Sequence, residues 1–219
     1  MTRTLYGIGT GPGDPKLLTV QAVECIQRAD VIFAPNNRGK NMALDSASPY
    51  LGDQKVVLLD FPMGETTEET YRHAMETIDE ELGEGKIGAF LNIGDSTIYS
   101  TFMNMVRTYC PQDLSLQLVP GIPSFVGAAN RILENLVVKS ERFLLCEEVD
   151  AQVLKEVDAL AILKTFKNFE KTLDLLEEHG FTYTYITKAT LPEERILTSR
   201  EEILKEKNYI SLLLARKHR

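Results

Sequence analysis

Leu5-Tyr6-Gly7-Ile8-Gly9-Thr10-Gly11-Pro12-Gly13-Asp14-Pro15 carries a short apolar strand into a turn, with glycine at four alternate positions. Glycine at that density lets a backbone approach a ligand with no Cβ in the way, and adopt dihedrals closed to other residues. Asp14 and Pro15 suit a helix cap and a first helical position ahead of the apolar-periodic stretch Leu17 to Ile26. A strand, a glycine turn and a helix in succession describe an α/β protein gripping a small cofactor. The plainer alternative is a tight strand-to-helix turn with no ligand.

Outward from that turn the alternation continues. A helical stretch over 17–28 precedes strands at 31–34 (ended by Pro35), 56–59, 87–93 and 114–119, with helices at 68–82 and 98–109 and a polar loop or short helix at 36–50. Strands separated by helices imply right-handed βαβ crossovers and a mainly parallel sheet. The second half differs. After a helix near 124–133 come strands at 143–146 and 160–163, a helix at 168–179 stopped by Gly180, and strands at 183–187 and 209–215. Residues 193–203 are too short and irregular for a clear crossover helix, so a mixed sheet with antiparallel pairs is expected. The reading is two α/β domains, residues 1–120 and 121–219, meeting at Pro120-Gly121-Ile122-Pro123, where two prolines limit the backbone.

Composition narrows the function. Across 219 residues, 24 Lys and Arg stand against 32 Asp and Glu, and the net charge of -8 argues against a general nucleic-acid partner. Cys25, Cys110 and Cys146 are far apart and odd in number, which points to reduced thiols and not to disulfides or a metal site. Met1-Thr2-Arg3-Thr4 leads straight into a strand without a signal-peptide core, and no apolar run approaches the ~20 residues that span a bilayer. A soluble, cytoplasmic protein with no membrane partner is expected.

Three strands end in kindred turns: Gly9-Thr10-Gly11-Pro12-Gly13-Asp14, Gly94-Asp95-Ser96-Thr97 and Pro120-Gly121-Ile122-Pro123-Ser124. In an open parallel sheet, ligands bind outside the carboxyl ends of the strands. Three such turns point to one pocket, lined mostly by backbone and lying between the two halves. A nicotinamide-binding G-x-G-x-x-G needs a helix opening at once, but Pro12 and Pro15 interrupt it, and the second strand ends in Ala34-Pro35-Asn36 without a ribose-reading acid. No phosphate-cradling G-x-x-x-x-G-K-[ST] occurs. Acceptor-rich turns suit instead a ligand with an amino group, ribose hydroxyls and a sulfonium charge, such as S-adenosylmethionine.

Gly7 to Thr19 (G-I-G-T-G-P-G-D-P-K-L-L-T) closely resembles the N-terminal signature of the tetrapyrrole (corrin/porphyrin) methylases. Asn92 to Thr101 and Val119 to Ser124 resemble that family's second and third motifs, in the right order, and the likeness runs from Leu5 to about Lys217. Tyr99-Ser100-Thr101, Leu163-Lys164, Ala189-Thr190-Leu191-Pro192-Glu193-Glu194 and Tyr209-Ile210-Ser211-Leu212 resemble the branch that methylates C20 of precorrin-2 or cobalt-factor II. The resemblance implies two α/β domains with S-adenosylmethionine folded between them, and a homodimer. It places Gly11 and Pro12 beside the cofactor, and Ile93, Gly94, Asp95 and Ile98 along its methionine portion, with Ser124 approaching from the third turn. Leu163 and Ala189 would wall the adenosine. Ser96 and Pro123 depart from the family's usual proline and small hydroxylated residue, and Pro123 has no N–H to donate.

Individual residues keep two readings. Asp95 caps the next helix, contacts the cofactor, or does both. Tyr99, a candidate substrate contact, is a core or wall residue, or else an acid/base. Met103 and Met105 fill core, and His73, His179 and His218 sit on exposed segments without a metal or catalytic role. Lys164, with Arg38 and Lys40 in the loop after strand two, would meet the anionic rim of a tetrapyrrole. No residue is assigned as acid or base, because the sulfonium methyl is already activated and the task is to hold donor and ring carbon roughly 3–3.5 Å apart. The expected activity is C20 methylation of cobalt-factor II. The metal-free precorrin-2 reaction and another tetrapyrrole methylation are the alternatives within the family. A nicotinamide dehydrogenase and a non-catalytic nucleotide-binding regulator are those outside it.

Overall fold

The computed structural model describes residues 2–37, 41–61, 66–164, 169–206 and 208–217. The chain divides into two compact units, Met1–Pro123 and Ser124–Arg219.

The first unit is built on β1 (Arg3–Gly9), β2 (Val31–Asn36), β3 (Lys55–Asp60), β4 (Ile87–Asn92) and β5 (Leu114–Val119), in the order β3-β2-β4-β1-β5. Every pairing is parallel. Such a sheet is covered on both faces, so its strands are apolar almost throughout. One face packs α1 (Val20–Arg28) and α2 (Met42–Ala47), through Ala22, Ile26 and Ala47, onto Ile8, Ile32, Ala89 and Leu91. The other packs α3 (Glu68–Glu81) and α4 (Thr101–Thr108), through Met75, Ile78, Phe102 and Met105, onto Leu5, Phe33 and Phe90. The alternate residues of each strand therefore serve different cores. From β1 the chain crosses to β2, and from the neighbouring β4 it crosses to β5, on the other side. The strand order reverses there, with Gly9 level with Asn92.

Several element ends fall elsewhere than the periodicity places them. Asp14 caps only a 3-10 turn, Pro15–Leu17, by accepting from the Lys16 N–H. Thr19 Oγ1 accepts from the Ala22 N–H at 3.1 Å, and α1 begins at Val20 instead of Leu17. Pro35 does not end β2. It pairs with Leu59 of β3, and the ladder to β4 has already stopped at Phe33. α4 starts at Thr101, not Ile98, because Tyr99 has φ 46°, outside the right-handed helix, and Ser100 supplies the cap.

The second unit contains α5 (Ser124–Ile132), β6 (Phe143–Cys146), α6 (Ala151–Glu156), β7 (Ala159–Leu163), α7 (Phe169–Glu178), β8 (Phe181–Thr187), β9 (Arg195–Leu197), α8 (Arg200–Lys205) and β10 (Ser211–Lys217). Its sheet runs β6-β7-β10-β8-β9 and is mixed, as expected. β6 and β7 are parallel, and β10 is antiparallel to both β7 and β8. β7 and β8 therefore point the same way, so β6, β7 and β8 all end at one edge. α6, β9 and α8 lie outside the sequence reading. With three to six residues each they span too little of a period to register. The three cysteines are free, and burial pushes the Cys146 thiol up to about 11.

Candidate functional site

At the carboxyl edge of the first sheet the three turns bind one another. The Gly11 N–H donates to the Gly94 carbonyl at 3.1 Å, and the Gly94 N–H donates back to Gly11 at 2.7 Å. Both residues have φ +73°, a left-handed conformation that glycine takes without cost. The third turn joins through the Gly121 N–H, which donates to Asp95 Oδ2 at 2.9 Å. Gly9 and Gly121 are glycine for a different reason. A Cβ on Gly121 would stand 2.1 Å from the Gly94 carbonyl oxygen and 2.7 Å from Gly9 Cα. Among the described atoms, these glycines make room for neighbouring turns, not only for a ligand.

A buried polar network that the sequence reading missed lies under this edge. Thr10 donates twice to the Asn92 carbonyl, from its N–H at 2.7 Å and its hydroxyl at 2.9 Å. Asn92 Nδ2 donates to Ser96 Oγ at 3.1 Å, while Asn92 Oδ1 accepts from the Ser100 hydroxyl at 3.3 Å. All four residues are buried. Ser100 also caps α4, by accepting from the Met103 N–H. The available signal was an asparagine ending an apolar strand, with hydroxyls four and eight residues later. Beside it, the Ser46 hydroxyl donates to the Gly13 carbonyl at 2.9 Å and the Tyr50 hydroxyl to the Pro15 carbonyl at 3.1 Å, tying the first turn to α2 and to the segment after it.

The carboxyl edge of the second sheet gathers Glu147, Lys164 and the segment 188–191. Leu163 is level with Leu212, which is level with Ile186. Ala189 follows two residues after β8 ends, and the Lys188 N–H donates to the Ile210 carbonyl at 2.9 Å. Lys164, Lys188 and Thr190 all have positive φ, 57°, 47° and 71°. Non-glycine residues adopt that conformation only where their surroundings impose it, and they cluster at functional sites.

Residues 4–204 match the family described as Tetrapyrrole (Corrin/Porphyrin) Methylases. The chain belongs to this family. It is 30% identical to the cobalt-precorrin-2 C(20)-methyltransferase of Salmonella typhimurium, over 99% of this chain and 98% of that one. It is 28% identical to a probable cobalt-precorrin-2 C(20)-methyltransferase of Methanocaldococcus jannaschii, over 99% and 97%. Among solved structures, the uroporphyrin-III C-methyl transferase of Thermus thermophilus complexed with S-adenosyl homocysteine superposes with a TM-score of 0.72 at 18% identity, covering 97% of each chain. At that identity the likeness concerns the fold.

Within this methylase the sequence-derived candidates fall into two groups. Gly11, Pro12, Gly94 and Asp95 come together at the first edge, where Pro12 is buried and Ile98 half-buried. Ile93 and Tyr99 there are exposed. Tyr99 is thus not a core residue: its left-handed backbone turns the chain just ahead of α4. Leu163, Lys164 and Ala189 share the second edge, and Ser124 opens α5 in the same unit. Lys164 lies 2.5 Å from Glu147, so it enters any anion contact already paired. Arg38 and Lys40 lie outside the described residues, as does His218. His73 is exposed, and His179 places Nδ1 2.8 Å from the Leu175 carbonyl. Met105 is buried in the α4 core and Met103 packs against it. Among the described residues no group of three or more His, Cys, Asp or Glu is placed to hold a metal, and no helix is long and apolar enough to cross a membrane.

Asp95 caps no helix, since Ser100 does that for α4. Its Oδ1 accepts from the Thr97 N–H and hydroxyl at 2.8 and 2.5 Å, and its Oδ2 from Gly121. Burial pushes this carboxyl up, but the bonds from Thr97 and Gly121 outweigh it and hold it below its ordinary 3.8. The sign follows from linkage. A carboxyl lowered by folding contributes fully above its ordinary value and loses that contribution as pH falls through the lowered one. The Gly121 amide should therefore stay protected from exchange from neutral pH down to the ordinary aspartate range, and open only in stronger acid. Asp95→Asn should remove that acid step. Loss of protection in the wild type already near about pH 5 would contradict the assignment.

Proposed function

We propose that this protein is an S-adenosylmethionine-dependent C-methyltransferase that methylates C20 of a reduced tetrapyrrole, cobalt-factor II or cobalt-precorrin-2, in cobalamin biosynthesis. The observation carrying the reading is the full-length likeness to the Salmonella enzyme, at 30% identity, within a family match spanning residues 4–204. Acceptor groups at the first edge support the cofactor. Asp95 spends three acceptor positions on Thr97 and Gly121. A carboxylate has about four, which leaves one for an ammonium group. Exposed Ile93 and half-buried Ile98 provide apolar surface for a thioether chain.

When bound, S-adenosylmethionine supplies an already activated methyl, so the residues' part is placement. Gly11 and Pro12, Ile93, Gly94, Asp95 and Ile98 are the proposed contacts of the first unit, and Ser124, Leu163 and Ala189 those of the second. Tyr99 and Lys164 are proposed to meet the tetrapyrrole, Lys164 through the ring's carboxylates. We also propose a homodimer working in the cytoplasm.

The test is mass spectrometry of products from parallel incubations with cobalt-factor II and precorrin-2, alongside calorimetric titration with S-adenosylmethionine and NAD. One methyl added to cobalt-factor II, with S-adenosylmethionine binding and no NAD binding, is the expected result. Micromolar NAD binding without an S-adenosylmethionine signal would sink the reading. Preferential turnover of precorrin-2 would favour the metal-free alternative, which a 26% likeness to the precorrin-2 C(20)-methyltransferase of Sinorhizobium sp keeps in view.

A further inference from the structure

The segment after β8 is held by the carboxylate of Glu194, the last residue of the motif that begins at Ala189. The Leu191 N–H donates to the Lys188 carbonyl at 2.9 Å, and the Glu194 N–H donates to the Leu191 carbonyl at 3.0 Å, giving two successive tight turns. Lys188 and Thr190 take positive φ within them, although neither is glycine. Glu194 folds back over these turns, its side chain only 9% exposed. Its Oε2 accepts from the Thr190 N–H at 2.6 Å, and its Oε1 from Arg131 Nε at 2.8 Å. Arg131 lies in the last turn of α5, the helix that Ser124 begins, and Ala189 is buried between the two left-handed residues.

A carboxylate so deeply buried needs its hydrogen bonds, and a strained backbone persists only where its surroundings over-determine it. Here one group does both. We infer that Glu194 is a positioning residue: it clamps the Thr190 amide to Arg131, holds the 188–191 turn in its left-handed course, and thereby sets where Ala189 stands toward the adenosine of the cofactor. The inference rests on the proposed contact between Ala189 and S-adenosylmethionine.

The test uses the full chain with S-adenosylmethionine and the tetrapyrrole. Glu194→Ala removes the bonds to both Thr190 and Arg131, and should speed exchange of the Thr190 amide and weaken S-adenosylmethionine binding about tenfold. kcat and the KM for tetrapyrrole should stay near wild type. Glu194→Gln, whose amide oxygen still accepts from Thr190, should keep most of the affinity. The double variant Glu194→Ala/Thr190→Gly should recover affinity, because glycine takes the positive φ without a clamp. A merely structural glutamate predicts no such rescue. Should Glu194→Ala fail to fold, Arg131→Ala, on an exposed side chain, should give a smaller shift in the same direction. Faster Thr190 exchange with unchanged S-adenosylmethionine affinity would overturn the inference and leave the proposed function standing. Unchanged affinity in Arg131→Ala would also count against it. No S-adenosylmethionine binding by the wild type would remove the reading on which it rests.

Discussion

Gly121→Ala should abolish S-adenosylmethionine binding while leaving the second unit folded. The added Cβ would stand 2.1 Å from the Gly94 carbonyl oxygen and 2.7 Å from both Gly9 C and Gly9 Cα. These are backbone atoms and no rotamer change can clear them, so the third turn must leave the first two. With it goes the 2.9 Å bond from the Gly121 N–H to Asp95, which ties the Asp95 turn to the turn that follows β5. Overpacking of this kind costs about 1–3 kcal/mol of stability. An affinity loss of at least about a hundredfold corresponds to about 2.7 kcal/mol of misplaced contacts. Calorimetric titration with circular dichroism measures both. Gly52→Ala is the matched control, since its Cβ would meet only the Gln54 side chain, at 3.4 Å or more. Normal binding by Gly121→Ala would move the pocket away from this edge.

Asn92→Leu should be the most damaging single change in the buried network. Leucine matches asparagine roughly in size but neither donates to Ser96 nor accepts from Ser100, leaving two buried hydroxyls without these partners. Each orphaned group costs about 1–3 kcal/mol, so a loss near 3 kcal/mol is expected, or roughly 6–12 °C in melting temperature. The Asn92 carbonyl still accepts from Thr10, so the end of β4 stays attached to the first turn. The start of α4 does not fare as well, because Ser100 loses the partner that orients its cap. S-adenosylmethionine affinity should fall with stability. A thermal melt and a titration on the same sample check this, and a wild-type melting temperature would mean that the network stabilises nothing.

Much of the architecture was legible because burial leaves a mark on each residue separately. Leu114–Val119 and Phe143–Cys146 could be delimited to the residue, the first as an apolar/polar alternation and the second as an apolar run, each bounded by polar or turn-forming neighbours. Helix starts were less legible. Asp14, Thr19 and Ser100 are all competent caps, and which helix each serves depends on backbone dihedrals such as the φ of 46° at Tyr99. α6 and α8, six residues each, are too short to show a period, although Asp150 accepting from the Gln152 and Val153 N–H groups is a cap signal that could have been read.

The sequence by itself determined the class of fold, two successive sheet-and-helix units, and the three glycine turns that mark the family. Both are written in local order: apolar runs that must be buried, and glycines that must bend. Only the tertiary structure decided what those turns touch. Gly9 and Gly121 are distant along the chain, and their need for glycine arises from each other's backbone and from the Gly94 carbonyl. Asp95 proved to be the tie between two turns, and Asn92 and Glu194 emerged as holders of the edges where the proposed contacts lie. A buried polar group is defined by its partner. That partner is chosen by strand order and by the pairing of distant segments, which no stretch of sequence carries alone.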